Sequence, residues 1–152
     1  MIRFSTGLRD AVAYLYGFAG VMNAGAIYVY SGSIPDSPDD AVSGTLLGTI
    51  TTDGLPYNPG ADANGAGLRL RVFSPGAIAP ATDAVWTLVG SATGEAGWFR
   101  WCASGADGFG YSITRPRVDG TIGDVLVLGE TTITALTNIK VDSFLMQLGK
   151  DG

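Results

Sequence analysis

The chain has 152 residues, enough for one domain with its own core. Only 15% are charged, where roughly 25% is usual for soluble domains, and the net charge is −5. Seven Arg and two Lys form no cluster, so the basic stripe that phosphates require is missing and nucleic-acid binding is not expected. No His is present, which removes the Ser-His-Asp triad, the Cys-His pair and nearly every zinc arrangement.

Gly and Pro supply 30 residues, spread between apolar runs, which suits many short strands joined by turns. The hydrophobic fraction is 46% and the mean hydropathy +0.26. With so few charges, the surface must be neutral and rich in Gly, Ala, Ser and Thr. Such a surface suits a subunit covered by neighbours better than a free monomer. The single cysteine, Cys102, cannot form an intrachain disulfide, and its setting Trp98-Phe99-Arg100-Trp101-Cys102-Ala103 gives it the place of a small buried hydrophobe.

In chain order, residues 1–25 read as a helical segment packed on the domain. Ser5 or Thr6 can cap the helix, Asp10 is expected in its first turn, and Leu8, Val12, Leu15, Ala19 and Met22 form one apolar stripe. No charge occurs between Asp10 and Asp36, but Gly17, Gly20 and Gly25 interrupt the run and its period changes partway. A membrane span or export signal is therefore not expected. Ala26 to Tyr30 reads as a buried strand, Ser31 to Ser43 as a surface loop, and Thr45 to Thr52 as a strand ending at the Asp53-Gly54 turn. Leu55 to Gly67 is a long loop or hairpin tip. Leu68 to Phe73 alternates, with Leu68, Leu70 and Val72 on one face, and Ser74 to Pro80 is turn-like. Val85 to Ser91 and Gly97 to Ala103 look like a strand pair. Tyr111 to Val118 is a strand edged by Pro116, and Val125 to Leu128, Thr131 to Thr134 and Ile139 to Leu148 complete the set. One domain over 1–152 is expected, mostly β, an antiparallel β-sandwich or jelly roll with a short N-terminal helix.

Catalytic and metal chemistry finds little support. Glycoside hydrolysis needs two facing carboxyl groups, yet Glu95 and Glu130 fall in expected turns, and Asp53, Asp107 and Asp119 each precede Gly, a turn pairing. Asp62-Ala63-Asn64-Gly65 matches a fragment of a calcium loop, with no acidic residue to close it before Asp83. Gly105 to Gly110 precedes no helix and makes no phosphate cradle. No enzyme, metal or cofactor is expected.

The aromatic residues are the positive signal. In a strand, Trp98 and Arg100 share one face while Phe99 and Trp101 share the other. One face is core; on the other, Trp98 beside Arg100 serves as an interface contact or as a glycan platform.

The opening Arg3-Phe4-Ser5-Thr6-Gly7-Leu8-Arg9 resembles the start of a family of small tailed-bacteriophage proteins. Ile27-Tyr28-Val29-Tyr30-Ser31-Gly32 with Pro35 is similar to that family's first strand and turn, and Gly97-Trp98-Phe99-Arg100 to its central strand. Val118-Asp119-Gly120-Thr121-Ile122-Gly123 and Val141-Asp142-Ser143-Phe144 resemble its closing segments. The resemblance implies a virion structural component, assembled in the host bacterial cytoplasm, with no catalytic residues to carry over. Its partners would be further copies of itself and phage capsid or tail proteins. A multi-copy head decoration subunit is the first expectation; a tail-associated adaptor or fibre-base subunit, or a carbohydrate-binding module at the host surface, are the others.

Overall fold

Alternation along the central strands sorts their side chains into two rows, and those rows organise the molecule. A computed structural model describes residues 1–14, 17–61 and 64–148, with 40% of the chain in strand and 9% in helix. The elements are β1 (Ile2–Phe4), α1 (Thr6–Tyr14), α2 (Phe18–Met22), β2 (Ala26–Tyr30), β3 (Leu46–Thr52), β4 (Leu70–Ser74), β5 (Ala77–Pro80), β6 (Trp86–Gly90) and β7 (Gly94–Glu95). They continue with β8 (Trp98–Cys102), β9 (Arg117–Thr121), β10 (Leu126–Leu128), β11 (Thr132–Ile133), β12 (Asn138–Phe144) and β13 (Met146–Gln147).

Eight strands form one antiparallel sheet in the order β1-β9-β8-β2-β3-β6-β12-β10; β13-β5-β4 and β11-β7 form smaller sheets. One row across the large sheet is apolar throughout: Phe4, Val118, Trp101, Ile27, Ile50, Leu88 and Ile139 are direct cross-strand neighbours. The next row, on the opposite face, runs Arg3, Asp119, Arg100, Tyr28, Thr49, Val89 and Asn138. The sheet cannot be flat. β9 and β10 are six strand steps apart, about 29 Å at ~4.8 Å per step, yet Thr121 and Leu126 are joined by a segment that spans at most about 18 Å. The sheet therefore curls, and Ile122 bridges to Leu126 where its two ends approach. The mostly-β antiparallel expectation holds, with a sandwich-like curled sheet and a short N-terminal helix.

The apolar row and its neighbours enclose the core. Phe18 of α2 meets Trp101 edge-on at 5.6 Å, and Phe144 meets Trp101 at 5.4 Å and Trp86 at 5.0 Å. Burying such rings dominates the drive to fold. The three indole N–H groups, of Trp86, Trp98 and Trp101, are buried without a hydrogen-bond partner among the described residues.

The N-terminal helix is two helices. α1 and α2 are separate elements; Leu8, Phe18 and Met22 are buried, while Val12 is exposed. Leu15, in the expected stripe, lies outside the described residues. Ser5 caps α1, its hydroxyl accepting the Leu8 N–H at 3.1 Å. Asp10 falls beyond the first turn. The acidic partner there comes from elsewhere: Asp39 accepts the Thr6 N–H at 2.8 Å and the Thr6 hydroxyl at 2.6 Å.

Four local expectations fail for identifiable reasons. β6 and β8 are not paired, because β3 and β2 lie between them and the intervening segment supplies β7, which pairs with β11. The 74–80 turn contains β5, folded back on β4. Val72 is exposed although Leu68 is buried, because it stands on β4, the edge strand of its small sheet, beyond the stretch that the core covers. Residues 111–116 are loop, and the strand begins only after Pro116, which lacks the N–H that a ladder needs. The calcium-like fragment falls partly outside the described residues, at Asp62 and Ala63.

Candidate functional site

Strand β8 presents Trp98, Arg100 and Cys102 on the face away from the core, as alternation requires. That face is covered. All five residues of β8 are buried, and Trp98 and Arg100 are 0% exposed. The interface or glycan contact expected at Trp98 and Arg100 is thus corrected: both lie inside the chain. Trp98 stacks on Tyr30 at 4.8 Å, with the Arg100 guanidinium 5.6 Å from its ring.

The cover consists of loops 31–45 and 103–116, and two arginines hold it down. Arg100 donates from Nε and Nη2 to the two Asp119 carboxylate oxygens, each at 2.7 Å, and from Nη1 to the Asp40 carbonyl at 2.8 Å. Arg117 donates from Nε and Nη2 to Asp107 at 2.7 and 2.6 Å, and reaches the Gly110 and Pro38 carbonyls at 2.8 and 3.1 Å. The planar five-donor fork of Arg allows this double duty of carboxylate and carbonyl. The loops also bond to each other, Val42 N–H to the Phe109 carbonyl at 3.0 Å and Ser112 N–H to that of Asp39 at 2.8 Å.

These carboxylates are therefore structural. Asp107-Gly108 lies in a loop, as expected, but Asp119-Gly120 lies mid-strand in β9 rather than in a turn. Gly120 is required there because a Cβ would meet the Phe99 ring at 2.6 Å. Burial raises the Asp119 carboxyl above its ordinary value, against the opposing pull of Arg100. Burial also pushes Asp107 up, but hydrogen bonds from Arg117 and the Phe109 N–H outweigh it and leave the carboxyl below its usual range. Cys102 is buried, and burial together with the adjacent Asp107 charge raises its thiol well above the ordinary range. The reactive thiolate form is suppressed at neutral pH.

Beyond the loops the same face opens. Tyr28, Thr49 and Val89, the continuation of the Arg100 row, floor a groove of about 370 Å³ walled by Leu55, Pro56 and Tyr57. Phe109 of the 103–116 loop meets Tyr28 edge-on at 4.9 Å. No lining side chain is charged. Burial keeps the Tyr28 phenol far above its ordinary value and pushes that of Tyr30 up to about 12, so both remain neutral. A larger groove of about 540 Å³ runs between Arg71, Val85, Trp86, Asp142 and Leu145.

Beside the first groove stands a feature that no sequence signal announced. Leu136 has φ +67° and is 92% exposed. A left-handed backbone costs a non-glycine residue roughly 1–2 kcal/mol. The conformation is enforced: Leu136 N–H donates to the Gly90 carbonyl at 2.9 Å, Gly90 N–H to that of Thr137 at 2.8 Å, and Ala135 N–H to the Thr93 hydroxyl at 3.2 Å. Gly90 lets the turn sit this close, since a Cβ would meet the Thr134 carbonyl at 2.3 Å.

Among the described residues, no three His, Cys, Asp or Glu gather as a metal site, and no helix is long and apolar enough to cross a membrane. Comparison with protein-family models, curated proteins and solved structures gave no match.

Proposed function

We propose that this chain is a non-enzymatic structural subunit of a tailed-bacteriophage virion, present in many copies and held by contacts to itself and to capsid or tail proteins. The observation that carries this reading is where the charge goes. Two of the seven arginines and their aspartates are spent inside, fixing loops to the sheet, so an already charge-poor chain is left with a still more neutral exterior. On that exterior stand Leu136, Val72, Tyr111 and Ile113, each more than half exposed at 92, 67, 72 and 52%. Apolar side chains on a surface poor in charge are what subunit contacts bury.

Head decoration is the first reading, since a small neutral domain suits lattice contacts; a tail-associated adaptor or fibre-base subunit is the second. Cosedimentation of the purified protein with separated heads and tails tests both. Saturable binding to heads is expected. Binding to tails alone moves the assignment to the adaptor, and binding to neither removes the virion reading.

A further inference from the structure

We infer that Leu136 is a preformed self-association anchor, which inserts into the Tyr28–Thr49–Val89 groove of a second copy of this chain. The inference rests on the assembly reading above and names its contact. Leu136 is the third residue of the 134–137 turn, closed by the Thr137 N–H to the Thr134 carbonyl at 3.3 Å, a position that glycine or asparagine fills without strain. A leucine there adds an exposed apolar side chain that the turn does not need, and the backbone bonds to Gly90 and Thr93 hold it before any partner arrives. Ordering a loop on binding weakens association; a turn already locked avoids that loss. Strained residues that persist mark functional positions.

The occupant follows from contiguity and charge. Gly90 holds the Leu136 turn and also lines the groove, so anchor and receptor occupy one continuous patch. An isologous two-fold contact requires that arrangement, each copy giving its leucine and receiving the other. The groove lining carries no charge, and neither does the segment 131–137, Thr-Thr-Ile-Thr-Ala-Leu-Thr. Exposed Glu95 lies opposite Thr132 and accepts its hydroxyl at 2.8 Å, so the two-fold contact seats Leu136 with that carboxylate left in solvent. The groove, at about 370 Å³ with Leu55, Pro56 and Val89 on its walls and floor, has room and apolar surface for a leucine side chain.

Sedimentation velocity from low micromolar to millimolar concentration tests this on the full chain. The parent is expected to dimerise. Leu136→Gly should weaken the dimer by roughly tenfold or more in Kd while leaving the thermal midpoint unchanged or higher, because glycine accepts positive φ freely. Leu136→Met should retain association, and Leu55→Asp, on the receiving wall, should lose it. An associating parent that is insensitive to Leu136→Gly overturns the anchor and leaves the assembly reading intact. Association lost in Leu136→Gly but kept in Leu55→Asp overturns the groove as its seat. A parent monomeric throughout overturns the proposal, and if it also fails to bind particles the assembly reading falls with it. A monomeric parent whose Tyr28 and Thr49 resonances shift with neutral saccharides would give the groove to a sugar instead.

Discussion

Replacing Asp119 with alanine would leave the Arg100 guanidinium at 0% exposure with one remaining partner, the Asp40 carbonyl. Both hydrogen bonds lost are charge-assisted and short, at 2.7 Å, and water cannot replace them without opening the loop cover. Breaking one side of such a pair costs about 3–5 kcal/mol, since the surviving charge stays buried. For a chain of this size, each kcal/mol moves Tm by about 2–4 °C, so Asp119→Ala should lower it by roughly 6–20 °C. The double replacement Arg100→Met with Asp119→Leu removes the stranded charge and should recover most of that loss, leaving the Asp40 carbonyl only the longer 3.5 Å bond from Arg117 and loop 31–45 looser. Urea denaturation of the parent, Arg100→Met, Asp119→Leu and the double isolates the coupling, and limited proteolysis within 31–45 reports the loop. A cost below about 1 kcal/mol for Asp119→Ala would refute the reasoning, because it would mean that water reaches the pair.

Four further outcomes are expected. The Asp107 carboxyl lies below its unfolded value, so its stabilisation is full above about pH 3.9 and is lost as pH falls through the lower folded value; acid titration of stability should show that loss, and Asp107→Asn should flatten it, with an unchanged slope telling against the Arg117 clamp. Cys102 should resist a thiol reagent in the native protein and react at once in denaturant, and rapid native labelling would contradict its burial. Trp98→Ala should behave as a core truncation, costing about 3–5 kcal/mol, and parental stability in that variant would show that the Trp98 face is open. Gly120→Ala, on the opposite face, should cost about 1–3 kcal/mol through the clash with Phe99, and parental stability there would show that the ring yields to a Cβ.

Much of the strand inventory was legible because it is written locally. Ala26–Tyr30 is a continuous apolar run and forms β2 with those bounds, and the alternation in Trp98–Cys102 correctly divided the strand into two faces. Alternation says which side chains share a face, not what covers it. The cover on Trp98 and Arg100 comes from loops whose sequence reads as Gly-, Pro- and Asp-rich surface, and Arg100 and Arg117, with Asp39 bonded to Thr6, draw them into the interior. Asp119-Gly120 misled for a related reason: the local preference of Asp-Gly for turns yields to a buried guanidinium that needs a carboxylate and to a phenyl ring that needs the space of a missing Cβ. Strand pairing was illegible because β2 finds its neighbours in β3 and the distant β8, and no residue pattern within either strand names the other. Leu136 carried no cue at all, since Thr-Ala-Leu-Thr contains neither Gly nor Asn to suggest a left-handed turn.

The strand order also sets a schedule for synthesis. Among the described pairings, β2 and β3 can join as soon as both leave the ribosome, and β6 can then extend the sheet on one side. The other side of β2 waits for β8, and β1 waits longer still, since Ile2 pairs with Gly120. Until β9 emerges, the first strand has nowhere to dock and the growing sheet keeps an open flank of unpaired backbone N–H and C=O groups, the state in which nascent chains pair with one another. A protein made in many copies at once would feel that delay most. A chain in which β1 is made after β9 would shorten the wait.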